Sequence, residues 1–506
     1  MNFYKKFTIP FFVFITGACV LVVEITAIRI LSPYFGNTIF TVSSVISVVL
    51  AALSLGYYTG GKIADKYPKE SLFYNIITAS GFAVIFLHLF GLIFLSTLGY
   101  KLPIIQGPII SSVLLFFLQS FLLGMLSPFA IKLQKVRLEE MGIGSVSGQI
   151  FFWSTLGSIF GSLAAGFLLI PNFGIDKIIL GTGFLLIILG LFGNLKAHLR
   201  LKTFLGVVVC ITSLFFINSF SLNLKNVTYS KDSLYQKITI YEGIYNEKPT
   251  RFLVQDRNSS AAEFLDSDEL AYEYTKYYVL YQIFNQNITQ VLAIGGGAYS
   301  VPKDILKNMP DVNVDVAEID PLIFELGKQY FNVPHNPKLN NFAQDGRRFL
   351  HDTNKKYDLI FSDAYASFSS IPEHLTTQEF FKMAKEKLSD NGVFIANVVG
   401  SLPQKPASFA LSEIKTFKSV FNNSYFFAVN SKDSPKLQNL IFVGYNGSDI
   451  INFNDEKIKD NKNYVISGLA EKQINLDRFD FTKYPLLTDN FAPVDYLISK
   501  EFKNIY

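Results

Sequence analysis

Four segments in the C-terminal half carry the residues best suited to chemistry, and each lies at the end of a short apolar run typical of a buried strand. In chain order they are GGGAYS, VAEID, AQDGRRFL and SDAYAS, and they supply Gly295, Gly296, Gly297, Glu318, Asp345 and Asp363. One acid at a strand end is often a turn residue or a helix cap. Such residues at four successive strand ends are hard to explain as caps, and they predict a ligand site.

The glycines and Glu318 together indicate a nucleoside ligand. Glycines lack a Cβ, so a ligand can approach the backbone closely where a helix starts. Glu318 follows about 20 residues later, where an acid accepts hydrogen bonds from both hydroxyls of a ribose. Asp345 can accept a hydrogen bond from an adenine amino group. The alternative role of Asp345 is that of a turn residue or helix cap before Arg347.

The surrounding pattern narrows the class of nucleoside. GGGAYS departs from the dinucleotide pattern GxGxxG, because Ser300 stands where the third glycine would be, and the sequence has no GxxxxGK[ST] phosphate loop. A nucleoside without pyrophosphate therefore fits better than NAD, which points to the S-adenosylmethionine class of cofactors. No metal is predicted. Asp363 would lie over such a cofactor.

The elements that position these residues alternate between strand and helix. VLAIGGG, VDVAEID, DLIFSDAY and GVFIANVV are typical of buried strands, with amphipathic helices such as PLIFELGKQYF between them. This pattern predicts a doubly wound, Rossmann-like parallel sheet of the methyltransferase type, with ligands beyond the carboxyl ends of its strands. YFFAVN and NLIFVGYN predict an antiparallel edge hairpin, and residues 233–256 predict a small N-terminal β-hairpin region.

A different domain precedes this one. The 506 residues are 50% hydrophobic and 17% charged, which is too apolar for one soluble domain. Apolar stretches able to cross ~30 Å of hydrocarbon lie at about 8–31, 38–60, 71–98, 105–131, 148–170, 176–194 and 203–220. We predict a multi-helix transmembrane bundle of about seven spans in residues 1–220, in the cell (inner) membrane, and an α/β domain in residues 226–500.

Charge in the loops between the spans is asymmetric. One side carries Lys5, Lys6, Lys62, Lys66, Lys69, Lys132, Lys135, Arg137, Lys196, Arg200 and Lys202. The other has little beyond Lys101 and Lys177. The positive-inside rule then makes the N-terminus cytoplasmic, and an odd number of spans puts the α/β domain outside. Cofactors of this class are made in the cytoplasm, and one miscounted span near 203–220 would reverse the result, so the side stays open.

Other features exclude some functions. The net charge of +4 is spread over scattered lysines, so we expect no nucleic-acid partner. Cys19 and Cys210 lie in apolar segments, where packing is favoured over a disulfide or a metal site.

Two features lie inside the predicted spans. Gly157, Gly161 and Ala165 share one face of the fifth span, which favours close helix packing. Glu24 in the first span, with Arg29 near its end, indicates either a functional site or a structural pair with a polar neighbour.

Several motifs together resemble a known family. They are SLYQKI, DSDELAYEY, GGGAYS, VAEID, QDGRRFL, DLIFSDAY and TDNFAPVDYL, with EITAIRILSPYFG and GGKIAD in the membrane half. They resemble the membrane-fused spermidine synthases, which are polyamine aminopropyltransferases. The resemblance implies a transferase that moves an aminopropyl group from decarboxylated S-adenosylmethionine to putrescine or a related amine. It also admits a homodimer.

The resemblance assigns roles to particular residues. Asp363 would be the catalytic residue that holds the reacting amine and accepts its proton. The cofactor residues would be Gln236 near the tail, Glu318 on the ribose and Asp345 on the adenine, with Gly295, Gly296, Gly297, Ile319 and Gly346 beside them. The amine substrate would contact Tyr365, Glu373 and Asp268.

The sequence also departs from the family at three substrate contacts. Ala298 replaces the acid that would bind the amine of the cofactor, Ala366 replaces the acid that would anchor the far amine of putrescine, and Ser260 replaces a glutamine. Unpaired cationic amines in a pocket cost on the order of several kcal/mol. Replacement acids could come from Glu373, Asp268 or Glu269.

Two other functions are also open. The first is methyl transfer from S-adenosylmethionine itself, because loss of the acid removes a group that would repel its carboxylate. The second is a non-catalytic, transporter-like sensor of polyamines or nucleosides, in which the α/β domain binds a ligand and regulates the membrane bundle.

Overall fold

A computed structural model describes residues 3–193, 226–256, 258–364, 371–402 and 407–502. The chain forms two compact units. The helical unit is Met1–Lys225 with Lys231–Gln236, and the α/β unit is Asn226–Ser230 with Lys237–Tyr506. The α-helices of seven or more residues are numbered from α1 and the strands from β1 in chain order.

The helical unit is built from long apolar helices. Its described helices are α1 (Phe3–Phe35), α2 (Ile39–Lys66), α3 (Glu70–Thr97), α4 (Gly107–Gly124), α5 (Leu126–Arg137), α6 (Ile143–Leu163) and α7 (Ile175–Gly193). Six stretches are long and apolar enough to cross a membrane: Lys6–Phe35, Ile39–Lys66, Glu70–Thr97, Gly107–Arg137, Ile143–Asn172 and Ile175–Gly193. The predicted helical bundle is confirmed in these six, and the predicted span at 203–220 lies outside the described residues.

Ion pairs join the ends of the helices that carry the basic loops. Lys132 near the end of α5 lies 2.8 Å from Asp65 near the end of α2. Arg137 at the end of α5 lies 2.6 Å from Glu70 at the start of α3. The loops expected to share the positively charged side therefore meet at one end of the helical unit.

Glycines bring α1 and α6 into close contact. A Cβ at Gly157 would lie 1.9 Å from the backbone oxygen of Phe14, and one at Gly161 would lie 2.2 Å from that of Ala18. Ala165, on the same face, is fully buried. Small residues allow this approach because larger side chains would separate the two backbones. The small-residue face expected from the sequence is thus a packing surface.

The α/β unit begins with a four-stranded antiparallel sheet. Its strands are β1 (Val227–Asp232), β2 (Lys237–Tyr245), β3 (Lys248–Gln255) and β4 (Asn258–Phe264), in that spatial order. The sheet is larger than the small hairpin region expected from the sequence. The last strand, NSSAAEF, was not predicted because serine and alanine give little β signal.

A seven-stranded sheet forms the centre of this unit. Its strands are β5 (Gln290–Ile294), β6 (Asn313–Glu318), β7 (Leu339–Ala343), β8 (Tyr357–Ser362), β9 (Leu388–Gly400), β10 (Ser424–Ala428) and β11 (Gln438–Tyr445). The helices are α8 (Ser300–Asn308), α9 (Pro321–Tyr330), α10 (Gly346–Asp352), α11 (Gln378–Glu386), α12 (Phe409–Lys418) and α13 (Val494–Phe502). A 3₁₀ helix at Glu273–Leu280 and a short helix at Tyr281–Phe284 precede β5.

The strand order is β10-β11-β9-β8-β5-β6-β7. The pairs from β9 to β7 are parallel, whereas β11 runs antiparallel to both β9 and β10. The predicted Rossmann-like sheet and its antiparallel edge hairpin are confirmed. From β5 the chain proceeds outward through β6 and β7, then returns to β8 on the other side of β5. This reversal opens a crevice at the carboxyl ends of β5 and β8, where ligands bind in such sheets.

Candidate functional site

Gly295 shapes the floor of this crevice at the end of β5. Its φ is +92°, and a Cβ there would lie 2.3 Å from the backbone oxygen of Asp363. Its N–H donates to the carbonyl oxygen of Ala317 at 2.9 Å, and the N–H of Asp363 donates to that of Ile294 at 2.8 Å. Any other residue would be strained and would push Asp363 away. The glycine therefore keeps the ends of β5 and β8 in contact.

The next glycines turn the chain into α8. Gly297 also has a positive φ, of +52°, and a Cβ at Gly296 would lie 2.7 Å from the ring of Tyr299. Tyr299 is fully buried with a φ of +57°, and its hydroxyl donates to the side-chain oxygen of Asn341. Tyr299 thus fills the space under the glycine loop, so that the loop backbone faces the crevice.

Glu318, at the end of β6, lies against this loop. One carboxylate oxygen accepts the N–H of Gly296 at 2.8 Å, and the other accepts that of Asp320 at 2.9 Å. Burial raises the pKa of the Glu318 carboxyl, while these backbone hydrogen bonds act in the opposite direction. Ile319, the next residue, is 40% exposed at the strand end and offers an apolar surface. The pair has the chemistry to bind a ribose and the face of a base.

Asp345 lies beyond the end of β7 and caps α10. One carboxylate oxygen accepts the N–H of Arg348 at 2.9 Å, and the other lies 2.8 Å from Nε2 of His374. Burial raises the pKa of Asp345, but the hydrogen bonds from His374 and Arg348 outweigh it and hold the pKa below its ordinary value. A Cβ at Gly346 would lie 2.3 Å from the side chain of Ile294, so α10 starts directly against β5.

Asp363 follows β8 and is partly buried in the crevice. Its Oδ1 accepts a hydrogen bond of 2.8 Å from Nδ2 of Asn397 on β9. The side-chain oxygen of Asn397 in turn accepts one of 2.8 Å from Asn439 on β11. Burial raises the pKa of Asp363, and hydrogen bonds from Asn397 and the hydroxyl of Tyr274 oppose that rise. This oriented carboxyl group can hold an amine and accept a proton.

A cleft opens beside Asp363 and the glycine loop, with about 440 Å³ of empty space that includes open solvent. Its other walls include Ser260 and Ala261 of β4, together with Tyr272 and Tyr274 before β5. The four-stranded sheet and the parallel sheet therefore both contribute to it. Within the described residues, no group of three His, Cys, Asp or Glu is placed to hold a metal ion.

Gln236, expected near the cofactor tail, belongs to the helical unit. It is buried in the Lys231–Gln236 segment of the helical unit, and its backbone pairs with that of Ser233. Arg29 of α1 donates to the carbonyl oxygen of Ser233 at 2.8 Å and to that of Tyr235. Gln236 is not among the residues that line the cleft.

Of the residues expected around the amine substrate, Asp268 and Glu373 are not among the described residues that line the cleft. Asp268 is exposed and pairs at 2.8 Å with Lys307, at the far end of α8 from the glycine loop. Glu373 lies in a short 3₁₀ helix and is mostly exposed. Its partial burial, and then the charge of Asp495, raise its pKa. Tyr365 lies outside the described residues.

Sequence reasoning did not select Tyr274, Asn397 and Tyr299, which shape the site. Tyr274 and Asn397 reach Asp363 from positions 89 and 34 residues away, so sequence spacing gives no signal for either contact. Tyr299 has a positive φ and comes two positions after the last of three glycines, which is a weak signal for a buried anchor.

Residues 279–439 match the family model of the spermine/spermidine synthase domain. The chain is a spermidine synthase-like protein. The matched stretch of this spermidine synthase-like chain contains the glycine loop, Glu318, Asp345 and Asp363. These are the residues that the fold brings to one edge of its parallel sheet.

Curated relatives support the same assignment. A polyamine aminopropyltransferase of Vibrio vulnificus (strain CMCP6) is 24% identical over 297 residues, covering 56% of this chain and 94% of that protein. Polyamine aminopropyltransferase 2 of Aquifex aeolicus (strain VF5) is 24% identical over 411 residues, covering 76% of this chain and 77% of that protein. The expected enzyme class, a transferase, is confirmed. The second match is longer than the α/β unit, so it includes part of the spermidine synthase-like chain's helical unit.

Among solved structures, this chain is similar to a probable spermidine synthase from Corynebacterium glutamicum ATCC 13032. The similarity covers 46% of this chain and 83% of that chain. The two share 19% sequence identity, with a TM-score of 0.40.

Proposed function

We propose that this protein is a membrane-bound polyamine aminopropyltransferase that uses decarboxylated S-adenosylmethionine as co-substrate. The position of Asp363 carries the proposal: a carboxyl group with a raised pKa, fixed by Asn397, directly against the glycine loop. The matched domain and the names of the curated relatives support the same activity.

The nucleoside would bind along the carboxyl ends of the strands. The backbone at Gly295–Gly297 permits close approach, Glu318 would accept the ribose hydroxyls, and Ile319 would contact the base. Asp345 and Gly346, at the start of α10, would lie at the adenine end. This arrangement would leave the sulfonium group on the side of Asp363.

The transfer step needs alignment and a proton acceptor. The carboxylate of Asp363 would take a proton from the ammonium of the acceptor, and the free amine would attack the methylene carbon next to the sulfonium. A C–N bond forms as the C–S bond breaks, and its electron pair goes to sulfur, leaving neutral methylthioadenosine. Alignment and base catalysis are the two contributions required, because the sulfonium carbon is already electrophilic.

One assay tests the proposal. The full chain in lipid nanodiscs is incubated with decarboxylated S-adenosylmethionine and a panel of amines, and methylthioadenosine is quantified. We expect Asp363→Asn to lower kcat by about 100-fold or more, since it removes the proton acceptor. Asp311→Asn, the same change at an exposed surface position, is the matched control. A wild-type protein that forms no methylthioadenosine with any amine would contradict the proposal.

One observation favours a second candidate, methyl transfer from S-adenosylmethionine. Ala298 lines the cleft where an acid would repel the carboxylate of the intact cofactor. The same assay with S-adenosylmethionine distinguishes the two, because methyl transfer releases S-adenosylhomocysteine.

The membrane location is also part of the proposal. The six apolar helices support a multi-pass protein with the lipid bilayer as its partner. A homodimer remains a prediction. If the protein were a non-catalytic sensor, the wild type would show no turnover. Asp363→Asn would then have no activity to remove.

A further inference from the structure

Asp345 is held through both of its carboxylate oxygens. Oδ1 accepts the backbone N–H of Arg348 at 2.9 Å, and Oδ2 lies 2.8 Å from Nε2 of His374. Although burial raises the pKa of this carboxyl, the hydrogen bonds hold it below its ordinary value, so the group is ionised at neutral pH. A carboxylate only accepts hydrogen bonds, so Nε2 of His374 carries the hydrogen and donates it to Oδ2.

The backbone of His374 is anchored separately from its side chain. His374 lies in the short 3₁₀ helix Glu373–Leu375. The guanidinium of Arg347 donates to the carbonyl oxygen of His374 at 3.0 Å and also forms an ion pair with Asp489. Because Arg347 lies in the first turn of α10, which Asp345 caps, the start of one helix holds both members of the pair.

The pair is accessible to a ligand. The side chain of Asp345 is 29% exposed, and that of His374 is 49% exposed. An ionised carboxylate has about four acceptor sites, and hydrogen bonds from His374 and from the backbone of Arg347 and Arg348 act on this one. Asp345 can therefore accept one further donor, which in the proposed nucleoside site is the 6-amino group of adenine.

We propose that His374 is a positioning residue that makes the nucleoside site select a 6-amino purine over a 6-oxo purine. This inference rests on the proposed function, which puts adenine at Asp345. Adenine presents an N–H donor at position 6, whereas hypoxanthine presents an oxygen there. A carboxylate held in one plane would meet that oxygen with lone pairs only, and two facing acceptors without a donor are unfavourable.

His374 restrains the rotation of this carboxylate. The terminal torsion of an aspartate side chain is broad, so a carboxylate held through one oxygen can rotate. After rotation, Asp345 could accept the N1–H of hypoxanthine, and the 6-oxo oxygen would no longer face its lone pairs. Loss of the donor on His374 should therefore weaken the selection between the two bases.

Two nucleosides that differ at this edge of the base provide the test. 5′-Methylthioadenosine carries the 6-amino group, and 5′-methylthioinosine carries the 6-oxo group and N1–H. Calorimetric titration of each into the full chain in nanodiscs gives the ratio of their Kd values. We expect the wild type to bind methylthioadenosine about tenfold or more tightly than methylthioinosine, because the 6-oxo group leaves acceptors unpaired. His374→Ala should reduce this preference by about fivefold or more.

Two matched variants separate the donor from the fold. His374→Gln keeps an N–H donor at the end of the side chain, so its preference should lie within about twofold of the wild type. His351→Ala is the control, because Nδ1 of His351 lies 2.8 Å from the carboxylate of Asp352, also on α10, and that pair is not part of the site. Its preference should equal that of the wild type. If His374→Ala does not fold, His374→Leu decides by the same criteria.

Three results would overturn the inference and leave the aminopropyltransferase proposal in place. The first is a wild type that binds both nucleosides equally, and the second is an unchanged preference in His374→Ala. The third is tighter binding of methylthioadenosine by His374→Ala, which would mean that His374 competes with adenine for Asp345. A reduced preference shared by His374→Ala and His374→Gln would also overturn it, because the donor would not be the determinant.

Failure of the proposed function has a separate signature. A wild type that binds neither nucleoside would contradict the nucleoside site, and both proposals would fall. A wild type that binds methylthioadenosine with the expected preference but forms none of it from decarboxylated S-adenosylmethionine would contradict the transfer activity alone. The selection by His374 would then still be supported.

Discussion

Asp363 depends on Asn397 for both its orientation and its proton affinity. The hydrogen bond of 2.8 Å from Asn397 stabilises the carboxylate, against burial, which favours the protonated acid. Replacing Asn397 with Leu should raise the pKa of Asp363 further. Because a base must be deprotonated, activity is lost as pH falls through this pKa, so the acid limb of the pH profile of kcat/KM should move to higher pH by about one unit.

The control for Asn397→Leu is Asn423→Leu. Asn423 donates to the carbonyl oxygens of Gly447 and Asp449, away from Asp363, so its pH profile should match the wild type. An acid limb that stays in place in Asn397→Leu, with the variant folded, would mean that Asn397 does not tune this carboxyl group.

The pKa of Asp345 is lowered, unlike that of Asp363, and it makes the stability of the protein depend on pH. Its pKa is lowered in the folded state, since hydrogen bonds from His374 and Arg348 outweigh burial. Such a group contributes stability above its unfolded pKa, and that contribution is lost as pH falls through its folded pKa. Asp345→Asn should therefore lower Tm near pH 7, and the gap to the wild type should narrow below about pH 4. Thermal unfolding across pH measures this, and a gap independent of pH would exclude the charge as its cause.

Among the elements, those with a strong periodic pattern could be predicted from the sequence. β5, β6, β8 and the edge hairpin follow apolar runs of strand length, so the sequence places Gly295 and Asp363 at the ends of strands. The fourth strand of the first sheet has no such run. Tyr274 and Asn397 could not be chosen, because their contacts with Asp363 depend on strand order and register, which one sequence does not specify.

The α1–α6 contact gives a prediction about helix packing. Gly157→Leu must displace α1, because even a Cβ would lie 1.9 Å from a backbone oxygen of that helix. We expect a loss of about 1–3 kcal/mol of stability. Gly148→Leu is the matched control, since nothing lies within 4 Å of a Cβ there on the same helix. Thermal unfolding in detergent compares them, and equal stability of the two variants would contradict the packing role.

At the scale of the whole molecule, the side of the membrane remains the open prediction. Six described stretches can span the bilayer, and the seventh predicted span lies at 203–220. With seven spans and a cytoplasmic N-terminus, alkaline phosphatase fused after Tyr506 should be active, because that enzyme folds only outside the cytoplasm. A green fluorescent protein fusion is the complement. Fluorescence without phosphatase activity would require an even number of spans.

Composition predicted that two units exist, but it could not predict how the chain is divided between them. The segment Lys231–Gln236 groups with the helical unit although it precedes β2 directly. Gln236 was expected at the cofactor because the resemblance to the spermidine synthases assigns it that role. The unit to which a segment belongs depends on its tertiary packing, which hydropathy does not encode.

The hydrogen bonds that connect Asp363 through Asn397 to Asn439 also bear on when the site becomes complete during translation. The ribosome delivers the glycine loop, Glu318 and Asp363 well before β11, which supplies Asn439. A nascent chain that ends before β11 would contain every residue of the nucleoside site. It would lack Asn439, whose hydrogen bond to Asn397 supports the orientation of Asp363. Catalytic competence should thus arrive late in translation, after the helical unit has already been made.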